Sequence, residues 1–81
     1  MGKYDPLRTE LRRRDTNRVT MRFEEIAAIV GNLPRSAREH RAWWSNEHRG
    51  RHVQAHAWLD VGYGVDSVDL DQCIVTFARG R

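Results

Sequence analysis

Eighty-one residues, with 14 Lys and Arg against 11 Asp and Glu and a net charge of +3, make a single small domain, residues 1–81, with a modest core. A lone cysteine, Cys73, excludes an internal disulfide and suits a reducing cytoplasm, the expected location. No signal-peptide pattern and no apolar run of membrane-spanning length is present, so no membrane partner is expected.

Asp5-Pro6 opens the first predicted helix, with Asp5 as cap and proline in the first turn. Leu7 and Leu11 give it a short apolar face, and it should end near Asp15. After a turn at Thr16-Asn17, Val19–Phe23 alternates apolar and polar residues as a half-buried strand does. Phe23, Ile26, Ala27 and Val30 then follow the i, i+3, i+4, i+7 spacing of an amphipathic helix. Glu24 and Glu25 suit its first turn, and Gly31 can end it in the left-handed conformation.

Asn32-Leu33-Pro34 reads as a turn, and the next helix starts at Ser36 with an S-x-x-E capping box completed by Glu39. Arg35, Arg38 and Arg41 recur along it every third residue, beside Trp43 and Trp44. Adjacent helical residues point about 100° apart, so one tryptophan should anchor the core while the other sits at its edge or against a partner. Two helices around a tight glycine-containing turn form a helix-turn-helix pattern. Ser45–Gly50 is a polar loop, followed by a helix predicted over His52–Val61. Val53, Ala57, Trp58 and Val61 share one side of that helix; His52, His56 and Asp60 line another. Gly62 and Gly64 break the chain around Tyr63. Val65–Leu70 and Cys73–Ala78 form a terminal β-hairpin about Asp71-Gln72.

The expected fold is therefore α+β and winged-helix-like: helices plus a small antiparallel sheet, in which Val19–Phe23 joins a C-terminal β-hairpin that serves as the wing. Phe23, Ile26, Val30, Trp58 and Phe77 should be buried together.

Several stretches carry a resemblance. Lys3-Tyr4-Asp5-Pro6-Leu7, Phe23-Glu24-Glu25-Ile26, Leu33-Pro34-x-Ser36-Ala37, Trp43-Trp44-Ser45-Asn46, Gln54-Ala55-x-Ala57-Trp58-Leu59 and Val75-Thr76-Phe77 span nearly the whole chain. It resembles a family of small bacterial and phage domains of unassigned function. In that family Ser or Thr often precedes the Phe and would cap the helix; here the position is Arg22. The resemblance implies fold boundaries rather than an activity.

Charge is unevenly spread. Arg35 to His56 holds five arginines and all four histidines against Glu39 and Glu47, whereas Asp60, Asp66, Asp69 and Asp71 dominate the C-terminal third. Arg12-Arg13-Arg14 is a second basic cluster. Segmental basic charge is the footprint of a phosphate-binding surface, and the bland alternative is a solvated face. The candidate nucleic-acid contacts are Arg35, Ser36, Arg38, Arg41, Trp44, Asn46, Arg49, Arg51 and Gln54. Arginine can fork onto phosphate or guanine, Asn and Gln can pair with adenine, and Trp44 can stack on a base. The expected function is non-catalytic nucleic-acid binding, DNA favoured over RNA, in a bacterial or phage regulator or accessory protein. The rival is a protein-interaction module using the Trp43/Trp44 edge. A homodimer would serve either reading.

His52 and His56 have the i, i+4 spacing of a metal pair, extended by Asp60 and by Cys73, but there is no C-x-x-C and no second close pair. A solvent-facing stripe is the favoured reading, with no metal and no cofactor. Cys73 is expected on a strand as a small buried residue, the acids are scattered, and no catalytic residues or enzyme activity are expected.

Overall fold

The computed structural model describes residues 2–47 and 53–79. It is α+β, with helices α1 (Asp5–Arg13), α2 (Phe23–Val30), α3 (Arg35–Glu39) and α4 (His56–Leu59), and strands β1 (Arg18–Arg22), β2 (Tyr63–Asp69) and β3 (Ile74–Arg79). The strands form one antiparallel sheet in the order β1-β3-β2. β1 pairs with β3 from Arg18 opposite Ala78 to Arg22 opposite Ile74, the pairing that the alternation in both segments implied. Val19, Met21, Val75 and Phe77 are buried on the inner face, under the helices.

Phe23, Ile26, Val30, Trp58 and Phe77 belong to one core, as expected, together with Leu7, Leu11, Trp44 and Tyr63. Aromatic rings run through its middle. Trp44 stacks on Phe23 with centroids 5.1 Å apart and on Trp58 at 5.9 Å, and Trp58 leans on Phe77 at 5.5 Å. Burying such rings is the largest apolar gain available to a chain this short.

The first two helices follow local rules with small shifts. α1 stops at Arg13, and Asp5 does not cap it: its carboxylate accepts the Gly2 N–H at 3.0 Å from inside the first turn. Phe23 begins α2 rather than ending the strand. No side chain at Arg22 caps α2, but Glu25 Oε1 accepts the Arg22 N–H at 2.7 Å, which preserves half of a capping box. Gly31 ends α2 at φ 102°, as expected of a glycine there.

The predicted Ser36 helix does not run through to the tryptophans. Pro34 occupies the cap position, no side-chain capping bond forms, and Glu39 pairs with Arg35 instead of reaching back. The chain leaves α-geometry at His40 (φ −127°, ψ 117°) and resumes as a 3-10 turn, Arg41–Trp44. The break removes the conflict between adjacent tryptophans. Trp44 swings into the core, 2% exposed, and its Nε1–H donates to the Ala37 carbonyl at 2.9 Å. That carbonyl would have accepted the Arg41 N–H in a continuous helix. Trp43 stays half-buried, edge-on to Trp44 at 4.7 Å and to Tyr4 at 5.8 Å.

The helix predicted over His52–Val61 is a 3-10 turn, Val53–Ala55, running into the short α4; His52 lies outside the described residues. Val53 is not on the buried side but 63% exposed. β2 begins earlier than expected, and Gly62 (φ 89°) turns the chain into it. The hairpin turn spans Leu70–Cys73. Asp69 Oδ1 accepts the N–H groups of Asp71 and Gln72, each at 3.0 Å, and Cys73 takes φ 59°. Cys73 is thus a half-buried turn residue, not a buried strand residue.

Candidate nucleic-acid interface

Of the nine sequence candidates, three are consumed by the fold. Trp44 is enclosed between Phe23 and Trp58, so no face is open for stacking. Gln54 is buried and donates from Nε2 to the Trp43 carbonyl at 2.8 Å, fastening the 3-10 turn below α4 to the tryptophan segment. Asn46 spends its amide internally. Nδ2 donates to the Val65 carbonyl at 3.1 Å, while Oδ1 accepts the Val65 N–H at 2.8 Å and the Trp58 indole N–H at 3.0 Å. These groups cannot read bases while the fold is intact. Ser36 is half-buried within α3, and Arg49 and Arg51 lie outside the described residues.

The three remaining arginines are exposed but no longer form one stripe. Arg35 pairs with Glu39 at 3.2 Å. Arg38, on the last turn of α3, has no carboxylate within 4 Å among the described residues. Arg41 lies beyond the break and reaches the Val68 carbonyl of β2 at 3.3 Å.

The sequence reading overlooked the outward face of β1. Its alternation leaves Arg18, Thr20 and Arg22 exposed in a row. Arg18 crosses the central strand to Asp66 at 2.8 Å, helped by the irregularity between Val65 and Ser67 that displaces Asp66. Thr20 and Thr76 hydroxyls meet at 3.1 Å. Arg22 has no acidic partner among the described residues and, with Arg38, lines a cavity of about 300 Å3. The simple period of two exposed that arginine; its meeting with Arg38 depends on a turn and two elements that no local pattern brings together.

Elsewhere charge is largely compensated. Glu10 sits between Arg13 and Arg14, accepting from each at 2.7 Å, and these hydrogen bonds hold its carboxyl below the ordinary glutamate range. The Arg12-Arg13-Arg14 cluster is therefore less basic than it reads. Arg8 joins Asp5 at 3.6 Å and Asp60 at 3.2 Å, and His56 approaches Asp60 at 3.5 Å. The predicted i, i+4 line of His56 and Asp60 thus exists, but Cys73 stands at the hairpin turn, and among the described residues no three of His, Cys, Asp and Glu gather as a metal site would need.

A family model described as a domain of unknown function, DUF7662, matches residues 4–80. The chain belongs to that family. The matched span of the DUF7662 domain covers the tryptophan segment, the hairpin and both arginines of the cavity. No curated protein and no solved structure matches the chain. No helix of the described residues is long and apolar enough to cross a membrane.

Proposed function

We propose that this DUF7662 domain is a non-catalytic nucleic-acid-binding module of winged-helix type, with duplex DNA favoured over RNA, serving a bacterial or phage regulator or accessory protein in the cytoplasm. The observation that carries the reading is the set of exposed guanidinium groups, Arg22, Arg38 and Arg41, that have no carboxylate partner among the described residues and flank the hairpin from two sides. Exposed cations without carboxylate partners are what a phosphate backbone attracts. The strand order β1-β3-β2, with the helical segments inserted between β1 and β2, supports the winged-helix assignment.

The mode of binding differs from the sequence expectation. α3 holds five residues and ends before the tryptophans, so it is too short to lie along a major groove as a reading helix. The wing carries Asp66, Asp69 and Asp71, which a phosphate backbone repels. Contacts then fall mainly on phosphates, giving affinity with little sequence preference. A homodimer would double these contacts.

A protein-interaction surface is the second reading, and its location moves. Trp44 is sequestered, but Val53 is 63% exposed and lines a groove of about 310 Å3 with Tyr4, Arg8 and Ala57.

Binding to random-sequence duplex DNA across a salt series tests the main reading. Arg38→Ala with Arg41→Ala should weaken binding and flatten the dependence of log K on log salt by about one unit for each phosphate no longer neutralised. Circular dichroism should be unchanged, since exposed arginines contribute little to stability. Unaltered affinity and slope in the folded double variant would overturn the proposal.

A further inference from the structure

Among the described arginines, Arg8, Arg13, Arg14, Arg18, Arg35 and Arg79 each lie within 4 Å of a carboxylate. Arg22 and Arg38 do not, and both line one cavity. They reach it from different elements: Arg22 closes β1 and Arg38 stands near the end of α3. Gln72 and Cys73 of the hairpin turn supply the third wall. That turn is fixed by the Asp69 carboxylate and by the Phe23 N–H, which donates to the Cys73 carbonyl at 2.8 Å, so the walls are held in place. Glu24 also faces the cavity yet pairs with neither arginine. Two cations on one cavity, against the one carboxylate of Glu24, leave a net positive potential that an external anion relieves.

We propose that this cavity binds a phosphate group, with Arg22 and Arg38 as the forked donors and the Gln72 amide as a neutral one. Phosphate fits better than carboxylate. Two guanidinium forks arriving from separate elements, with an amide on a third side, match a tetrahedral anion that presents acceptors in several directions; a planar carboxylate satisfies one fork. The cavity lies at the start of the eight-residue α2, whose dipole adds to the positive potential. Glu24 opposes the anion, so the site is weak for a lone phosphate and gains when other contacts hold the ligand.

The group has two sources. As a nucleic-acid backbone phosphate it makes the cavity an anchoring subsite of the interface proposed above, and then it rests on that reading. As a free phosphomonoester it does not.

The test titrates inorganic phosphate at constant ionic strength while the arginine Nε–Hε signals are followed by NMR. Binding of a short random-sequence duplex is measured in parallel. The variants are Arg22→Gln with Arg38→Gln, and Glu24→Gln, all at exposed positions, each first shown by thermal melting to be folded. Phosphate should shift the Arg22 and Arg38 signals saturably. The double variant should bind phosphate about tenfold or more weakly. Glu24→Gln should bind it several-fold more tightly, a gain that a merely structural arginine pair would not give. Duplex affinity should fall about tenfold or more in the double variant, with the salt slope reduced by about one unit for the one phosphate lost.

Silent arginine signals, or phosphate binding no tighter in Glu24→Gln, would overturn the cavity assignment; duplex binding retained at full strength by the double variant would then leave the nucleic-acid reading standing on other residues. Saturable phosphate binding without duplex binding would uphold the cavity as a phosphomonoester site and remove the nucleic-acid reading.

Discussion

Replacing Asn46 with alanine removes three hydrogen bonds at once, two to the Val65 backbone and one from the Trp58 indole. The consequences are unequal. The Val65 groups lie on the sheet edge, where water can replace the missing partner, at about 0.5–1 kcal/mol each. The Trp58 residue is 0% exposed, so its indole N–H is stranded away from water, at about 1–3 kcal/mol. The sum is about 2–5 kcal/mol, against a total of about 4–12 kcal/mol for a domain of this size. At about 4–8 °C per kcal/mol, the melting temperature should fall by about 8–40 °C. The assay is a far-ultraviolet circular dichroism melt, with tryptophan emission reporting on Trp58. Asn46→Asp is the control: it keeps an acceptor for the indole and for the Val65 N–H, loses only the donor to the Val65 carbonyl, and should therefore drop less. An Asn46→Ala melt within about 4 °C of the native protein would refute the reasoning, because it would mean that the indole proton finds water or another partner.

The remaining expectations concern stability. Trp58→Ala empties the centre of the aromatic stack and should cost about 3–5 kcal/mol, enough to leave much of the chain unfolded at ambient temperature; an unchanged melt would contradict the stack. Gly31→Ala should cost about 1–2 kcal/mol through backbone strain alone, since an added Cβ would meet nothing within 4 Å; denaturant titration should show a lower midpoint with an unchanged slope. Glu10, whose folded carboxyl is held below its unfolded value, contributes stability that is present above the ordinary glutamate pKa of about 4.3 and is lost as the pH falls through the lower folded value. Melts of Glu10→Gln and native protein should accordingly differ at pH 7 and converge towards pH 3, and a constant difference would show that the charge is not the cause.

Much of the fold was legible because its signals are local. Alternation over Val19–Phe23 placed β1 to within a residue at each end, the 3.6 spacing from Phe23 to Val30 placed α2, and Gly31 marked where it stops. The hairpin emerged the same way. The Ser36 segment failed for a physical reason: a capping box is worth about a kilocalorie, whereas seating Trp44 between Phe23 and Trp58 is worth several, and tertiary packing overrode the local start signal. The same long-range preference explains the site. Trp44, Asn46 and Gln54 are residue types that recognise nucleic acids, and they are equally the types that satisfy buried backbone groups; the sequence carries no sign of which task each performs. Tyr63 passed unnoticed between two glycines, yet its hydroxyl donates to the Thr16 carbonyl at 2.7 Å and receives Arg79 at 3.3 Å, tying the α1–β1 connection to the sheet. Arg22 was visible as an exposed strand residue, but only the β2–β3 turn and α3 bring it beside Arg38.

β2 is an outer strand, and an outer strand ordinarily offers its unpaired backbone to any extended chain that drifts past. Here the Asn46 amide occupies both the donor and the acceptor of Val65, and Arg41 covers the Val68 carbonyl. Side chains from the tryptophan segment thus act as a false strand that ends the sheet. Loss of Asn46 would uncover a template for growth as well as loosen the fold, so the substituted protein should self-associate at concentrations where the native domain stays monodisperse.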